Sequence, residues 1–413
     1  MNSFQKTIIY CSIFIFSVFS ALFAQTSNKI NWKEDLKIYR AALEQKHIDL
    51  YHSVTKEEFV NEWNNIYNTI DSLNDFEIIL KLMHLTRRIS DGHTAVSLKN
   101  IATHRFPFEI EFIEGQWYVV KTLNKNKQIL KTTLESINGI PVDTIAQKVS
   151  EIAQFVENEY SLTQRTGSYL TISEVLFHLN LIDATHKATF SFRNQNNEFI
   201  TLELATITNE MWEGSGISEL HLTVPEIEKP DNVNPDLWFT SISNTKAVYI
   251  NFENYPSFED MQVFGEQLVS YIQQNQMKKV IIDMRENGGG DLYVGTVLAY
   301  ALNLADSIDW KNGVFVLTSH KTFSAATSNA ALFKQLLNAK IVGQPTGSNP
   351  NGYQDMDSFT LPNSKLVITY SKRLFRLSNQ VNTALQPNIN INQKRTDLFN
   401  GTDTVLKELI NRF

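Results

Sequence analysis

The stretch Lys279-Val280-Ile281-Ile282-Asp283-Met284-Arg285-Glu286-Asn287-Gly288-Gly289-Gly290 decides the reading of this 413-residue chain. Its first half is a short apolar run rich in β-branched residues, the pattern of a strand buried on both faces. Its second half ends in three consecutive glycines, where the backbone can approach a ligand closely with N–H groups pointing outward. Two functions want such a loop: phosphate cradling and stabilisation of an oxyanion. A phosphate loop requires a Lys-Ser/Thr pair after the glycines, and here Asp291-Leu292-Tyr293 follows. A carboxylate at that place repels phosphate, which favours oxyanion donors. On the glycines alone, a sharp strand-to-helix turn that binds nothing accounts for the loop equally well.

Outward from this stretch the pattern is α/β. Residues 247–252 read as a strand, 258–275 as a helix and 279–284 as the buried strand. A helix over about 291–303, a strand over 314–318, a helix over about 324–338 and a strand over 340–343 follow. Strands alternating with helices of this length imply a largely parallel, helix-covered sheet. Upstream, residues 29 to about 90 read as helices. Trp32, Leu36, Tyr39 and Leu43, then Phe59, Trp63, Ile66 and Ile70, recur at alternating four- and three-residue steps. Residues 104–207 read as a small α+β module. A hairpin covers 106–121, a strand with a tight Asn138-Gly139 turn leads to a helix start at Val142, a helical segment spans 144–182, and strands fill 188–205. Residues 208–235 read as a polar, irregular connector. The predicted domains are 1–24, a signal peptide; 25–103, helical; 104–207, the α+β module; and 208–413, the α/β core.

Two further stretches bear on chemistry. In Thr322-Phe323-Ser324-Ala325-Ala326 a serine opens a helix after a buried strand, where free N–H groups and the helix dipole favour developing negative charge. Taken alone, such a serine is ordinarily an N-cap. In Ser90-Asp91-Gly92-His93-Thr94 a histidine sits in a glycine-containing loop directly after a helix. Serine needs a base to take its proton, and histidine is the usual one. Of the nine histidines, His52 and His84 fit helical surfaces, whereas His93 does not.

The net charge of −7 and the scattered lysines and arginines argue against a nucleic-acid partner. Lys6 precedes an apolar run, Thr7 to Phe23, that breaks at Ala24 before a polar stretch. This predicts a secretory signal peptide, a periplasmic or secreted protein, and no stable membrane insertion after cleavage. An uncleaved anchor is the alternative, since the run nears the lower limit of a span. Cys11, the only cysteine, lies inside the run, so a cleaved chain has no disulfide and no thiolate chemistry.

Together the stretches Asp283-x-Arg285-x-Asn287-Gly288-Gly289-Gly290, Thr322-x-Ser324-Ala325 and Ile341-Val342-Gly343-Gln344-Pro345-Thr346-Gly347 resemble the tail-specific, or C-terminal processing, serine peptidases. The 34 residues from Gly290 to Ser324 leave room for the one helix and one strand that this family's core requires. The landmarks Phe359 to Ser364 and Leu385 to Ile389 also look like the family's. The resemblance implies a parallel-sheet core of the crotonase/ClpP-like kind, and the turn around Ile137-Asn138-Gly139 resembles a corner of PDZ-like domains. It further implies that Ser324 is the nucleophile, with oxyanion donors from the N–H of Ala325 and one of Gly288 or Gly289. The familiar bacterial members use a lysine 25 residues after the serine; that position is Asn349, and no lysine occurs between Lys340 and Lys365. The chain therefore looks like the histidine-using, tricorn-like branch, with His93 as base. That branch carries a glutamate near the C-terminus, and the comparable Ser378 to Asn382 holds no acid. Asp355 or Asp91 could orient His93. The expected activity is acyl transfer on peptides or unfolded proteins, without metal or organic cofactor. A non-catalytic ligand-binding homologue, of the retinoid-binding-protein kind, and an esterase on the same scaffold are the competing readings.

Overall fold

The computed structural model describes residues 30–379 and 382–413, so the signal-peptide segment lies outside the described residues. The described residues form a mixed α/β structure with three sheets. The first region is helical: Trp32–Lys46, Lys56–Thr69 and Asp75–Arg87. The second and third of these helices begin with capping boxes, Thr55 with Glu58 and Asn74 with Glu77. Every apolar residue of the four- and three-residue repeat named above is buried.

The second sheet-forming region is antiparallel, in the order Phe108–Ile113, Gln116–Leu123, Thr133–Ile137, Lys187–Arg193, Phe199–Ala205. The single helical segment expected over 144–182 is three helices, Val142–Ser150, Glu159–Tyr169 and Ser173–His178. Nor is the connector entirely irregular. Its Ile217–Glu219 adds a strand beside Gln116–Leu123, in a register that sets Lys121 opposite Glu219 at 3.0 Å.

The third region carries a six-stranded sheet ordered Ile389–Asn390, Lys340–Gly343, Val314–Thr318, Lys279–Asp283, Ala247–Phe252, Leu237–Ser241. All pairings are parallel except that of the edge strand Leu237–Ser241, which the alternation of strands and helices did not reveal. The strand Lys279–Asp283 is central and packs on both faces. Val280 and Ile282 join the core under the helices Phe258–Gln274, Leu292–Leu302 and Ala325–Leu336, while Ile281 joins a second core against the C-terminal helix Thr404–Ile410. Ile281 and Ile282 are both fully buried. Each such side chain contributes roughly 1.5–3 kcal/mol of burial, which is why an apolar run without alternation suits this place.

A small sheet then ties the two ends of the chain together. Ala95–Ser97, directly after the His93 loop, pairs antiparallel with Val367–Leu374, which forms a hairpin with Tyr353–Thr360. The hairpin's turn is held by Asp35, whose carboxylate accepts from the N–H groups of Asn363 (3.0 Å) and Ser364 (2.7 Å). The N-terminal helices are thereby locked onto the far end of the sequence.

Candidate active site

The strands Lys279–Asp283 and Val314–Thr318 are neighbours, so the loops leaving their C-terminal ends are neighbours too. Hydrogen bonds zip the two loops together. Phe323 N–H donates to Asn287 O (3.1 Å), Thr322 Oγ1 to Met284 O (2.8 Å) and Ser319 Oγ to Arg285 O (2.5 Å). The loop after Lys340–Gly343 joins them through Ser348, whose hydroxyl oxygen accepts from Ser324 N–H at 2.8 Å and lies 2.9 Å from Thr327 Oγ1. The sequence reading stopped one residue short of Ser348; a small polar residue after a parallel strand was the available signal.

Ser324 precedes the helix Ala325–Leu336 with φ 53° and ψ −127°, and its side chain makes no capping hydrogen bond. Positive φ is costly for a residue with a Cβ and persists where surrounding structure enforces it; a sharp strand-to-helix turn of this kind lifts a serine hydroxyl out of the backbone. Gly289, at φ 109°, is what makes room: a Cβ there would stand 2.6 Å from Ser324 Cβ.

The freed hydroxyl meets His93. Ser324 Oγ lies 2.8 Å from His93 Nε2, across 231 residues of sequence. On the other side of the ring, His93 Nδ1 lies 3.0 Å from the carbonyl oxygen of Tyr353. A carbonyl only accepts, so Nδ1 carries the hydrogen and Nε2 presents its lone pair to the serine O–H. Burial lowers the imidazole's pKa below its ordinary value, against the pull of the Asp91 charge and the Tyr353 carbonyl. The ring is neutral near pH 7, the state in which it can accept a proton.

Neither of the two acids expected to orient the ring touches it. Asp355 pairs with Arg373 (3.2 Å) and Lys372 (3.6 Å). Asp91 is buried and binds the loop's backbone and neighbours: His93 N–H (2.9 Å), Thr94 N–H (2.7 Å), Thr94 Oγ1, Ser371 Oγ and His47 Nε2 (2.7 Å). Burial opposes its charge, yet the hydrogen bond and charge of His47, with Thr94 and the His93 N–H, hold its pKa down at about 2. His47 was not singled out in the sequence; its position directly after a helix gave no chemical hint. His84 does lie on an exposed helical surface, but His52 does not. His52 sits between helices with its ring 4.0 Å from that of Tyr353.

In the glycine loop, the N–H of Gly289 donates to Asn287 Oδ1 at 2.9 Å. The N–H groups of Gly288 and Ala325 donate to no other group among the described residues. The Asp283-x-Arg285 pair is structural. Arg285 bridges Asp283 (2.6 Å) and Asp403 (2.7 Å), and Tyr249 O–H donates to Asp283 at 2.8 Å, so the root of the glycine loop is fixed to the C-terminal helix. A cavity of about 1100 Å³ lies between the antiparallel module and the parallel sheet, bordered among others by Trp117, Gly167, Trp238, Arg285, His320 and Lys321.

No protein-family model matches the sequence. Among solved structures, mature CPAF superposes with a TM-score of 0.68 at 12% identity, covering 92% of this chain and 95% of that one. Mature CPAF complexed with lactacystin gives a TM-score of 0.66 at 12% identity, covering 92% and 97%. Over nearly its whole length, the chain shares the fold of mature CPAF.

Proposed function

We propose that this protein is a serine endopeptidase of the tail-specific, histidine-using kind, exported by its N-terminal segment and acting on peptides or unfolded proteins. The single observation that carries this reading is the hydrogen bond between Ser324 Oγ and a His93 whose other nitrogen is already committed to a carbonyl. A serine that is merely an N-cap would bond its own helix, and this one does not.

In the reaction, His93 Nε2 takes the Ser324 proton as Oγ attacks the scissile carbonyl carbon. The oxyanion is held by the N–H groups of Ala325 and Gly288; the Gly289 N–H is committed to Asn287. Such donors contribute on the order of 3 kcal/mol each in the transition state. His93 then gives its proton to the departing amine nitrogen, the C–N bond breaks, and water, deprotonated by the same imidazole, releases the acyl-enzyme. Tyr353 O serves where an acid commonly stands, by fixing the ring's tautomer and partly compensating the imidazolium.

The same reading treats residues 25–103 as the base-carrying helical region, 104–207 as a PDZ-like module and 208–413 as a crotonase/ClpP-like core. A cavity between module and core that reaches Ser319 to Lys321, just before the nucleophile, supports a polypeptide-sized substrate. The test is cleavage of a mixed peptide library by the mature protein beside its Ser324→Ala and His93→Ala variants, read by mass spectrometry. Cleavage lost in both variants supports the assignment. Equal cleavage by all three, or by none with all folded, overturns it.

A further inference from the structure

Asp49 lies exposed on the turn between the helices Trp32–Lys46 and Lys56–Thr69, yet its backbone and its carboxylate are all engaged. Its N–H donates to His47 Nδ1 (2.9 Å), its carbonyl oxygen lies 2.8 Å from His52 Nδ1, and its carboxylate accepts from Tyr353 O–H at 2.9 Å. A carbonyl only accepts, so His52 Nδ1 carries a hydrogen; His47 Nδ1 accepts, so the hydrogen on its Nε2 is the one given to Asp91. The ring of His52 lies against that of Tyr353, with centroids 4.0 Å apart. Ile48 N–H, between the two histidines, donates to Ser371 O at 3.1 Å. One exposed turn thus grips both the loop that carries His93 and the residue whose carbonyl faces its ring.

Tyr353 needs that grip. Successive carbonyls of a strand point to opposite edges. Gly352 O accepts from the N–H of Phe375, just past the partner strand, at 2.9 Å, which turns Tyr353 O the other way, towards His93 Nδ1 at 3.0 Å. The ladder therefore does not hold the carbonyl that orients the base. Nor does the strand beyond it run regularly: the pairing skips Asp355, whose φ is 60°. The remaining hold on the Tyr353 peptide is its side chain, and Asp49 is where that side chain ends.

We propose that Asp49 is a positioning residue for peptide cleavage: through the Tyr353 side chain it sets the angle at which the Tyr353 carbonyl meets His93 Nδ1, and with it the aim of Nε2 at Ser324. Asp49 bonds neither Ser324 nor His93 and acts from the far side of Tyr353. This inference rests on the serine peptidase reading above. Because the carboxylate is exposed, its loss should be read in turnover more than in melting.

The experiment measures peptide cleavage across pH by the mature protein and its Asp49→Ala, Tyr353→Phe and doubly substituted variants. Each single change removes the same hydrogen bond. Tyr353→Phe also leaves every carboxylate in place, including Asp91 on the base's own loop and Asp355 on the hairpin, whose charges act on His93. Thermal melting checks that the variants fold. The expected result is a kcat lowered about 10-fold in each single variant with KM unchanged. The midpoint of the acidic limb also moves lower, because the Tyr353 carbonyl favours the imidazolium and favours it less once tilted. The double variant falls no further than either single one, as removal of one shared bond requires. A single variant that folds with kcat and midpoint unchanged, or a double variant whose losses multiply, overturns the positioning role while Ser324-dependent cleavage by the wild type stands. Absence of Ser324-dependent cleavage in the wild type overturns the peptidase reading and this inference with it.

Discussion

Asp91 lies two residues before His93, yet among the described residues its carboxylate accepts hydrogen bonds from five groups and none of them is the imidazole ring. The acid shapes the loop, and the backbone carbonyl of Tyr353 orients the ring, 3.0 Å from Nδ1. Asp91→Asn should therefore destabilise the fold by about 3 kcal/mol, as expected when one partner of a buried charge network is removed. Activity should fall by about 100-fold, because the ring shifts relative to the serine. Urea unfolding and peptide cleavage measure the two effects. The linkage has a definite sign: a carboxyl held at about 2 contributes stability above its unfolded value near 3.8 and loses it as pH falls through about 2. The variant should lack that acid-sensitive component.

Ser324 is held at φ 53°. Ser324→Gly removes the Cβ that makes this conformation costly, so it should stabilise the protein by about 1 kcal/mol while abolishing cleavage. Chemical denaturation of the two proteins side by side checks the gain; a less stable glycine variant counts against strain at this residue.

The pH dependence of kcat/KM should report His93. Burial lowers its pKa from 6.5, so the acidic limb should have its midpoint below 6.5, with activity flat from there to pH 7.5. A midpoint above 6.5 would mean that the Asp91 charge outweighs burial.

Gly289→Ala places a Cβ 2.6 Å from Ser324 Cβ and 3.0 Å from Phe323 O, at a φ of 109° that alanine adopts only under strain. It should destabilise the protein by about 2–3 kcal/mol and reduce cleavage at least 100-fold, whereas Gly288→Ala, which meets nothing within 4 Å, should be far milder. Parallel melts and assays of the two variants separate the positions.

Glu157 packs against Gly92, and its carboxylate accepts from Asn349 N–H at 3.2 Å. Burial, with the Asp91 charge behind it and the Asn349 hydrogen bond against it, pushes its pKa up to about 8. The folded state thus holds this proton more tightly than the unfolded chain, so stability declines as pH rises from about 4.5 to about 8 and levels off above that. Glu157→Gln should flatten that decline and raise the melting temperature by a few degrees at pH 8.5, with little change at pH 5. Melting curves across that range decide it.

Ser324 and His93 stood out in the sequence because each occupies a place where local pattern and chemistry conflict. Ser324 opens a helix after a strand, and His93 follows a helix in a glycine turn instead of lying on an apolar face. The parallel sheet was legible because Val280 to Ile282 and Val314 to Thr318 are apolar without alternation, as two-sided burial requires. What was hidden is of two kinds. Tyr353 acts through its backbone, and a carbonyl leaves no trace in residue type. The hairpin that carries it was missed because Gln354-Asp355-Met356-Asp357-Ser358 is mostly polar on a partly exposed strand, although Val367-Ile368-Thr369-Tyr370 offered a β-branched signal. The capture of Asp91 by His47 joins residues 44 positions apart, with no periodic pattern to link them.

The small sheet joining Ala95–Ser97 to Val367–Leu374 also has a consequence in time. The helical region is the first part of the described chain to be made. Its histidine has nothing to orient it until the hairpin beginning at Tyr353 has emerged, when most of the chain is already made. The contact between Ser324 and His93 is therefore completed late in folding.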